Sequence, residues 1–259
     1  GTAAVLAITT EPSTVAQSGI AFLQQPVIQV RDTFGNAVLQ SGIAVTATLS
    51  GSATLGGTVT VNTNAAGVAV FANLAITGPT GTYGLEFSAT GLVPDTSGAI
   101  TLDAGQGFAD STTASVPSGT AGETTTITIT VRDGAGNPVV GWADSLAVTI
   151  SGANDTTVTI TDNGDGTYTA AYIPTAAGKD NVAITLNGDA ITDSPFESIV
   201  SAGAASVLTI TTEPSVTGQS GIALVQQPVI QVRDTLGNAV SQAGIAVTAA
   251  GLPGTGALG

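Results

Sequence analysis

The chain has 259 residues, of which 42% are apolar and only 8% are charged, a composition that predicts folded domains with a nearly uncharged polar surface. Its formal charge of -14 comes from 18 acidic residues against four cations, so nucleic acid is excluded as a partner and anionic lipid is disfavoured. The absence of His and Cys removes the usual general bases, nucleophile activators and zinc ligands, and with them most hydrolase and redox mechanisms.

The first hundred residues show the pattern of short β-strands. Thr and Val alternate at period two in residues 58–61, so one side of this strand is predicted to face a core and the other to face solvent. Turn-forming pairs separate the strands at short intervals, for example Gly-Asn at 35–36 and Gly-Pro at 78–79. This pattern is typical of a sandwich with about seven short strands per hundred residues.

The second hundred residues carry the same signals. Residues 126–131 read Thr-Ile-Thr-Ile-Thr-Val, residues 158–160 alternate in the same way, and the turn sequence Asn-Gly-Asp-Gly falls at 163–166. No stretch shows helical periodicity, and no apolar run approaches the ~18 residues of a membrane span. We therefore predict an all-β chain of tandem immunoglobulin-like β-sandwich domains arranged as a rod, with no membrane insertion of this segment.

Internal repetition is the most informative feature of the sequence. Residues 203–250 repeat residues 1–48 without a gap, and about three quarters of these positions are identical. A weaker copy lies halfway between them, and it is marked by the same Val-Arg-Asp tripeptide. The three arginines of this tripeptide, Arg31, Arg132 and Arg233, follow one another at intervals of 101 residues.

The repeat divides the chain into three predicted domains. Unit A comprises residues 1–104, unit B residues 105–202, and unit A′ residues 203–259. Unit A′ covers only the N-terminal part of a repeat of about 100 residues, because it lacks counterparts of residues 68–71 and 83–87. We expect either that the chain continues, which is our first choice, or that a neighbouring chain completes this sandwich.

Unit B resembles a filamin-type immunoglobulin-like repeat. The resemblance is carried in order by the sequence Asp-Asn-Gly-Asp-Gly-Thr-Tyr at 162–168, Tyr-Ile-Pro at 172–174, Gly178, and Ser-Pro-Phe at 194–196. Upstream, residues 131–138 are similar to the strand and turn of invasin and intimin-type bacterial immunoglobulin-like domains.

Units A and A′ are similar to repeats of very large bacterial surface proteins. This resemblance is carried by residues 25–36, residues 67–71 and the Gly-Thr-Tyr sequence at 81–83. It implies a β-sandwich used as a spacer, an adhesin stalk or a filament component, and it brings no catalytic residue with it.

The repeated Arg-Asp pair has two interpretations. It is either a binding motif displayed along the array or a structural turn, and we favour the structural turn. In that interpretation Val30 points inward, Arg31 points outward, and the Asp32 carboxylate accepts hydrogen bonds from the backbone of the following Gly35-Asn36 turn.

Acidic residues suggest calcium at two places. Asp162, Asn163 and Asp165 superficially resemble a calcium loop, but the segment is short and lacks a distal bidentate Glu, so a Gly-rich hairpin is the better explanation. The second place is the linkers between domains, where acidic residues could hold a structural Ca²⁺. We treat this calcium as a minor alternative. The candidate residues are Asp103, Asp110 and Asp193.

Three further residues have a functional and a structural interpretation. Lys179, the only lysine, invites an intramolecular isopeptide bond, but its position directly after a glycine favours a solvated side chain. Trp142, the only tryptophan, is a ligand platform, an anchor between neighbouring chains or, more simply, a side chain that packs over the end of its own sandwich. Asn154 begins the single glycosylation sequon, which is weak evidence by itself.

Together with these patterns, the resemblance implies a non-enzymatic structural segment of a large extracellular surface protein, acting as an adhesin stalk or spacer. The alternative is a subunit of a self-assembling filament or sheath in which a neighbour completes unit A′. We predict no catalytic, cofactor-binding or metal-binding residues. The expected partners are proteins, copies of the same chain included, and the expected location is a cell surface or surface appendage.

Overall fold

The computed structural model describes residues 1–250. The end of predicted unit A′, residues 251–259, lies outside the described residues. The described part consists of short β-strands and two 3₁₀ turns, Ala109–Ser111 and Ala143–Ser145. It contains no α-helix within residues 1–250, and the all-β prediction is confirmed.

Twelve strands lie in residues 1–104. They are β1 (Val5–Thr10), β2 (Val15–Gln17), β3 (Val27–Arg31), β4 (Ala44–Leu49), β5 (Thr54–Gly56), β6 (Thr60–Asn62), β7 (Val68–Val70), β8 (Ala75–Thr77), β9 (Gly81–Tyr83), β10 (Leu85–Ser88), β11 (Asp95–Thr96) and β12 (Ile100–Asp103). Ten strands follow in residues 105–202, and two in residues 203–250. They are β13 (Thr113–Ser115), β14 (Gly119–Thr120), β15 (Thr125–Thr130), β16 (Leu146–Gly152), β17 (Thr156–Thr157), β18 (Ile160–Asp162), β19 (Thr167–Tyr172), β20 (Gly178–Leu186), β21 (Asp189–Ala190), β22 (Phe196–Ser201), β23 (Val207–Thr212) and β24 (Val229–Arg233).

Residues 1–104 form a sandwich from small sheets with the orders β1-β3-β7, β11-β10-β4-β6, β2-β12-β9 and β5-β8. Strand β3 shows how the alternation builds the core, because Ile28 and Val30 are fully buried while the three residues that alternate with them are half-exposed. At the centre, the rings of Phe71 and Phe87 lie 5.3 Å apart and tilted, a favourable aromatic arrangement.

Residues 105–202 form a sandwich of two larger sheets. One has the order β13-β15-β19-β18, and the other has the order β14-β22-β20-β16-β17 with β21 paired to β20. In β15, Ile127 and Ile129 are fully buried and the intervening threonines face solvent, as the period-two pattern predicts. Tyr168, on the neighbouring strand β19 of the same sheet, is also fully buried in this core.

Two predicted strands begin later than expected. Strand β6 begins at Thr60 rather than Thr58, because the Thr58 N–H donates to Oδ1 of Asn73, 2.8 Å away, instead of joining the ladder. Strand β18 begins at Ile160, two residues after the start of the alternating run.

Residues 203–250 reproduce the first hairpin-like pair of unit A. Strand β23 pairs antiparallel with β24, and the register shifts between Ile210 and Thr212 as it does between Ile8 and Thr10 in the pair β1-β3. The burial differs strongly, since Leu208 is 54% exposed whereas the equivalent Leu6 is 4% exposed. Within residues 1–250, no strand pairing joins two of the predicted units, and the predicted domain boundaries themselves stay a prediction.

Candidate interdomain joints

The turn after β3 is held by Asp32. Its Oδ1 accepts hydrogen bonds from the backbone N–H groups of Phe34 (3.0 Å) and Asn36 (2.8 Å), and Arg31 donates from Nη1 to the carbonyl of Gly35 at 2.7 Å. The same contacts recur in the turns 133–137 and 234–238. The turn-capping interpretation of the Arg-Asp pair is therefore confirmed.

The second oxygen of each later aspartate holds the start of its own domain. Oδ2 of Asp133 accepts from the N–H of Gly105 at 2.8 Å, and Oδ2 of Asp234 accepts from the N–H of Gly203 at 2.8 Å. Both aspartates are only 2% exposed. One buried carboxylate thus fixes the turn and the linker together, which stabilises the ionised group by several hydrogen bonds.

At the first joint, the turn reaches back to the preceding sandwich through Asn137. Its Nδ2 donates to the carbonyl of Gly78 at 2.9 Å, and its Oδ1 accepts from the N–H of Thr80 at 3.0 Å. Nδ2 also donates to Oδ2 of Asp133 at 2.8 Å. The side chain is 7% exposed, so its amide links two consecutive units with good hydrogen-bond geometry on both sides.

The second joint repeats this arrangement with Asn238. Its Nδ2 donates to the carbonyl of Thr175 at 2.9 Å, and its Oδ1 accepts from the N–H of Ala177 at 2.9 Å. Nδ2 also donates to Oδ2 of Asp234 at 2.8 Å. We call the pairs Asp133/Asn137 and Asp234/Asn238 the two Asp-Asn clasps.

The loop that receives the first clasp is itself held by side chains of its own sandwich. The Ser18 hydroxyl accepts from the N–H of Gly78 at 3.1 Å and donates to its carbonyl at 3.2 Å. The Tyr83 hydroxyl donates to the carbonyl of Pro79 at 2.8 Å. The clasp therefore binds a loop whose position is already fixed by the sandwich behind it.

The loop that receives the second clasp is held by Asn154. Its Oδ1 accepts from the N–H groups of Thr175 and Ala176, and its Nδ2 donates to the Ala176 carbonyl at 3.0 Å and to Oδ2 of Asp180 at 3.0 Å. Asp180 is fully buried and also accepts from the Tyr172 hydroxyl at 2.9 Å. The sequon asparagine is thus part of a hydrogen-bond network that leads from the core of unit B to the second joint.

The turn aspartates are stabilised in their ionised form. The side chain of Asn36, together with backbone N–H donors, lowers the pKa of Asp32 to about 2. Burial raises the pKa of Asp133 and of Asp234, but hydrogen bonds from the neighbouring asparagine side chain and three backbone N–H groups outweigh burial, so both pKa values are lowered.

The remaining candidates have structural roles. Lys179 forms an ion pair with Glu197, and since both side chains are about half exposed the solvated interpretation is confirmed. Trp142 packs against the core of unit B and its backbone N–H donates to the Tyr168 hydroxyl, so it covers the end of its own sandwich as predicted.

The acidic turn after β18 is a hairpin. Asp162 accepts from the N–H of Gly164, and Asp165 accepts from the N–H of Thr167, so these carboxylates are used by the local backbone. Across residues 1–250, no three acidic side chains lie close enough together to hold a metal ion. The junction Ca²⁺ considered at Asp103, Asp110 and Asp193 stays a prediction. No helix in this range is long and apolar enough to span a membrane.

The fold and the joints define a tandem array of immunoglobulin-like sandwiches, and known proteins agree with this. Residues 104–197 match the family described as Filamin/ABP280 repeat, which confirms the filamin-type resemblance of unit B.

Among solved structures, the Escherichia coli adhesin FdeC is 23% identical, with a TM-score of 0.53 over 77% of this chain and 65% of the FdeC chain. The chain thus spans less than two thirds of FdeC, and this similarity establishes the fold. Invasin, a bacterial integrin-binding protein, is 22% identical, with a TM-score of 0.46 over 92% of this chain and 48% of that one. The surface layer protein SbsC, domains 1–6, is 16% identical, with a TM-score of 0.36 over 92% of this chain and 32% of the SbsC chain. The similarity to FdeC confirms the resemblance to bacterial immunoglobulin-like repeats as a resemblance of fold.

Replacing the clasp asparagine should uncouple units A and B. Asn137→Ala removes the hydrogen bonds to Gly78 and Thr80 as well as the bond to its own aspartate, whereas Asn36→Ala removes only the bonds to Asp32. We expect Asn137→Ala to lower the free energy of unfolding by about 1–3 kcal/mol more than Asn36→Ala, the value of one or two buried hydrogen bonds.

The measurement is equilibrium urea unfolding, followed by circular dichroism and by fluorescence of Trp142, which reports on unit B alone. Equal losses for the two variants would contradict a role of Asn137 between the units.

Acid should weaken unit B through Asp133. Because its pKa is lowered in the folded state, the carboxylate stabilises the fold above the ordinary Asp pKa of about 3.9, and that stabilisation is lost as the pH falls below this value. We expect the urea midpoint reported by Trp142 to decrease between about pH 4 and pH 2. Asp133→Asn should make that decrease smaller, and the exposed Asp144→Asn should leave it unchanged. A decrease of the same size in Asp133→Asn would contradict this account.

Proposed function

We propose that this segment is a non-enzymatic spacer of a large extracellular surface protein, in which consecutive sandwiches form an adhesin stalk. The observation that supports it most is the pair of Asp-Asn clasps. At both joints an asparagine amide bonds to backbone groups of the preceding sandwich, at distances of 2.9–3.0 Å. A stalk needs successive domains in a fixed relative orientation, and paired donor and acceptor bonds resist rotation about the linker.

The linkers and receptor loops add to this proposal. Each linker glycine donates to a buried aspartate, so the connecting chain is held against the following domain instead of acting as a free tether. Each receptor loop is fastened to its own sandwich, through Ser18 and Tyr83 in unit A and through Asn154 in unit B. At each joint, hydrogen bonds therefore connect the two sandwiches through the linker, the clasp and the receptor loop, and each of these segments is itself held by hydrogen bonds.

Composition supports a role without catalysis. The chain contains no His and no Cys, and the best-buried carboxylates, on Asp32, Asp133, Asp180 and Asp234, all accept hydrogen bonds that hold local structure. The fold shared with the adhesin FdeC agrees with an outer-surface location and with protein partners, and the acidic balance agrees with both.

Negative-stain electron microscopy tests the spacer role. The native chain should be an elongated particle, with about 35–40 Å contributed by each sandwich and a narrow distribution of angles between successive domains. The double variant Asn137→Ala/Asn238→Ala should broaden that distribution while the particle stays folded, and Asn36→Ala should not. A broad distribution already present in the native chain would refute the proposal.

Assembly into a filament is a second candidate function, and it starts from one observation in residues 203–250. Leu208 and Ile210 lie on one face of β23 and are 54% and 49% exposed, although their counterparts in unit A, Leu6 and Ile8, pack in the core of that sandwich. Apolar side chains exposed together on a two-stranded sheet need a covering layer. In the stalk that layer is a continuation of the same polypeptide, and in the filament it is donated by a neighbouring chain.

A hybrid chain separates these two arrangements. Residues 1–249 followed by residues 48–104 would complete unit A′ with the matching half of unit A, to which it is about three quarters identical over 48 positions. For the stalk, we expect the hybrid to gain a cooperative unfolding transition and to lose binding of a hydrophobic dye, and both chains to sediment as monomers. Filament assembly instead predicts that the native chain forms concentration-dependent polymers in analytical ultracentrifugation and that the hybrid does not.

A further inference from the structure

The turn of unit A has the same construction as the two clasps but contacts no other unit within residues 1–250. Asn36 donates from Nδ2 to both oxygens of Asp32, at 3.2 and 3.1 Å. In contrast to Asn137 and Asn238, its Oδ1 accepts no hydrogen bond from the described residues, and the side chain is exposed. The amide therefore has the donor and acceptor arrangement that the other two asparagines use to bind a loop.

Beside this amide lies an exposed aromatic residue. Phe34 is 88% exposed, and it occupies the position of Leu236 in the second joint. Leu236 lies against Gly122 of unit B, the preceding sandwich. Its Cδ1 is 3.5 Å from the position that a Cβ on Gly122 would occupy. The first joint has Ala135 at the equivalent position, and a methyl group there makes a smaller apolar contact.

We propose that residues 33–36 of unit A form a docking surface for the end of a B-type sandwich joined to Gly1 of the same polypeptide. The Asn36 amide would bond to a Pro-Thr loop like that at 174–177, and the Phe34 ring would lie on the glycine that corresponds to Gly122. This inference rests on the proposed stalk function and names the partner of one more joint in it.

The similarity of units A and A′ selects the B-type partner. Unit A′ docks on unit B, and its first 48 residues are about three quarters identical to those of unit A, with the large apolar residue kept in the turn. The position of Gly1 agrees, since its nitrogen lies 3.2 Å from Oδ2 of Asp32, where the linker glycines of the other joints donate.

A second copy of this chain is not the partner, because its own loops are occupied. The loop at 78–80 binds Asn137, and the loop at 175–177 binds Asn238. Leu236 lies against Gly122 of unit B, and the smaller Ala135 stands at this position in the joint with unit A. We therefore expect the size of the residue before the turn glycine to influence which type of sandwich precedes which.

The test is a chain in which residues 105–202 are fused ahead of Gly1 of the full sequence. The leading copy carries the conservative substitution of exposed Ile173 by Val, so that its loop peptide differs in mass from the native one. Hydrogen exchange of the two loop peptides is then followed by mass spectrometry. We expect the leading loop to exchange about as slowly as the native loop, and about tenfold faster when Phe34→Asp is introduced.

The native second joint is the internal reference. Phe34→Asp in the unfused chain should leave stability unchanged, since this side chain is exposed there. A leading loop whose exchange rate is the same with and without the Phe34→Asp substitution refutes the docking surface. If Asn238→Ala also fails to accelerate exchange of the native loop, then the clasp itself, and with it the proposed stalk function, is refuted as well.

Discussion

The buried aspartate of the repeated Val-Arg-Asp tripeptide makes the interaction on which the arrangement of the domains depends. One of its oxygens closes the turn, and the other holds the linker glycine. A carboxylate shielded from water is stable only when its hydrogen bonds are made, and here the donors come from the turn, the linker and the asparagine side chain. Loss of any one of these donors would leave the buried carboxylate with an unsatisfied hydrogen-bond acceptor.

This construction explains how a chain without disulfides joins its domains firmly. A flexible linker would leave successive sandwiches free to rotate, but here the linker glycine and the clasp asparagine are bound to the same carboxylate. The asparagine then carries the constraint to the preceding sandwich through backbone groups of its loop. The chemistry requires no charged partner, which agrees with a surface on which only 8% of residues are charged.

Local patterns in the sequence predict much of the fold. Alternation in residues 126–131 correctly predicts the buried and exposed sides of β15, and the aspartate of the turn caps it as expected because these bonds span only two to four residues. The interdomain role of Asn137 was not predicted, because its partner Gly78 lies 59 positions away and the contact depends on how two domains meet. The sequence does contain a signal for these receptor loops, because both carry a Pro-Thr dipeptide, at 79–80 and 174–175. Asn154, considered only as a sequon, holds the second of these loops.

We infer that the Asp-Asn clasp fixes one sandwich relative to the next. Residual dipolar couplings of backbone amides, measured separately for units A and B in one weakly aligned sample, test it most directly. A fixed orientation of the two units predicts a single alignment tensor for both units in the native chain, and two different tensors in Asn137→Ala. Different tensors in the native chain would show that the units move independently and would contradict a fixed orientation.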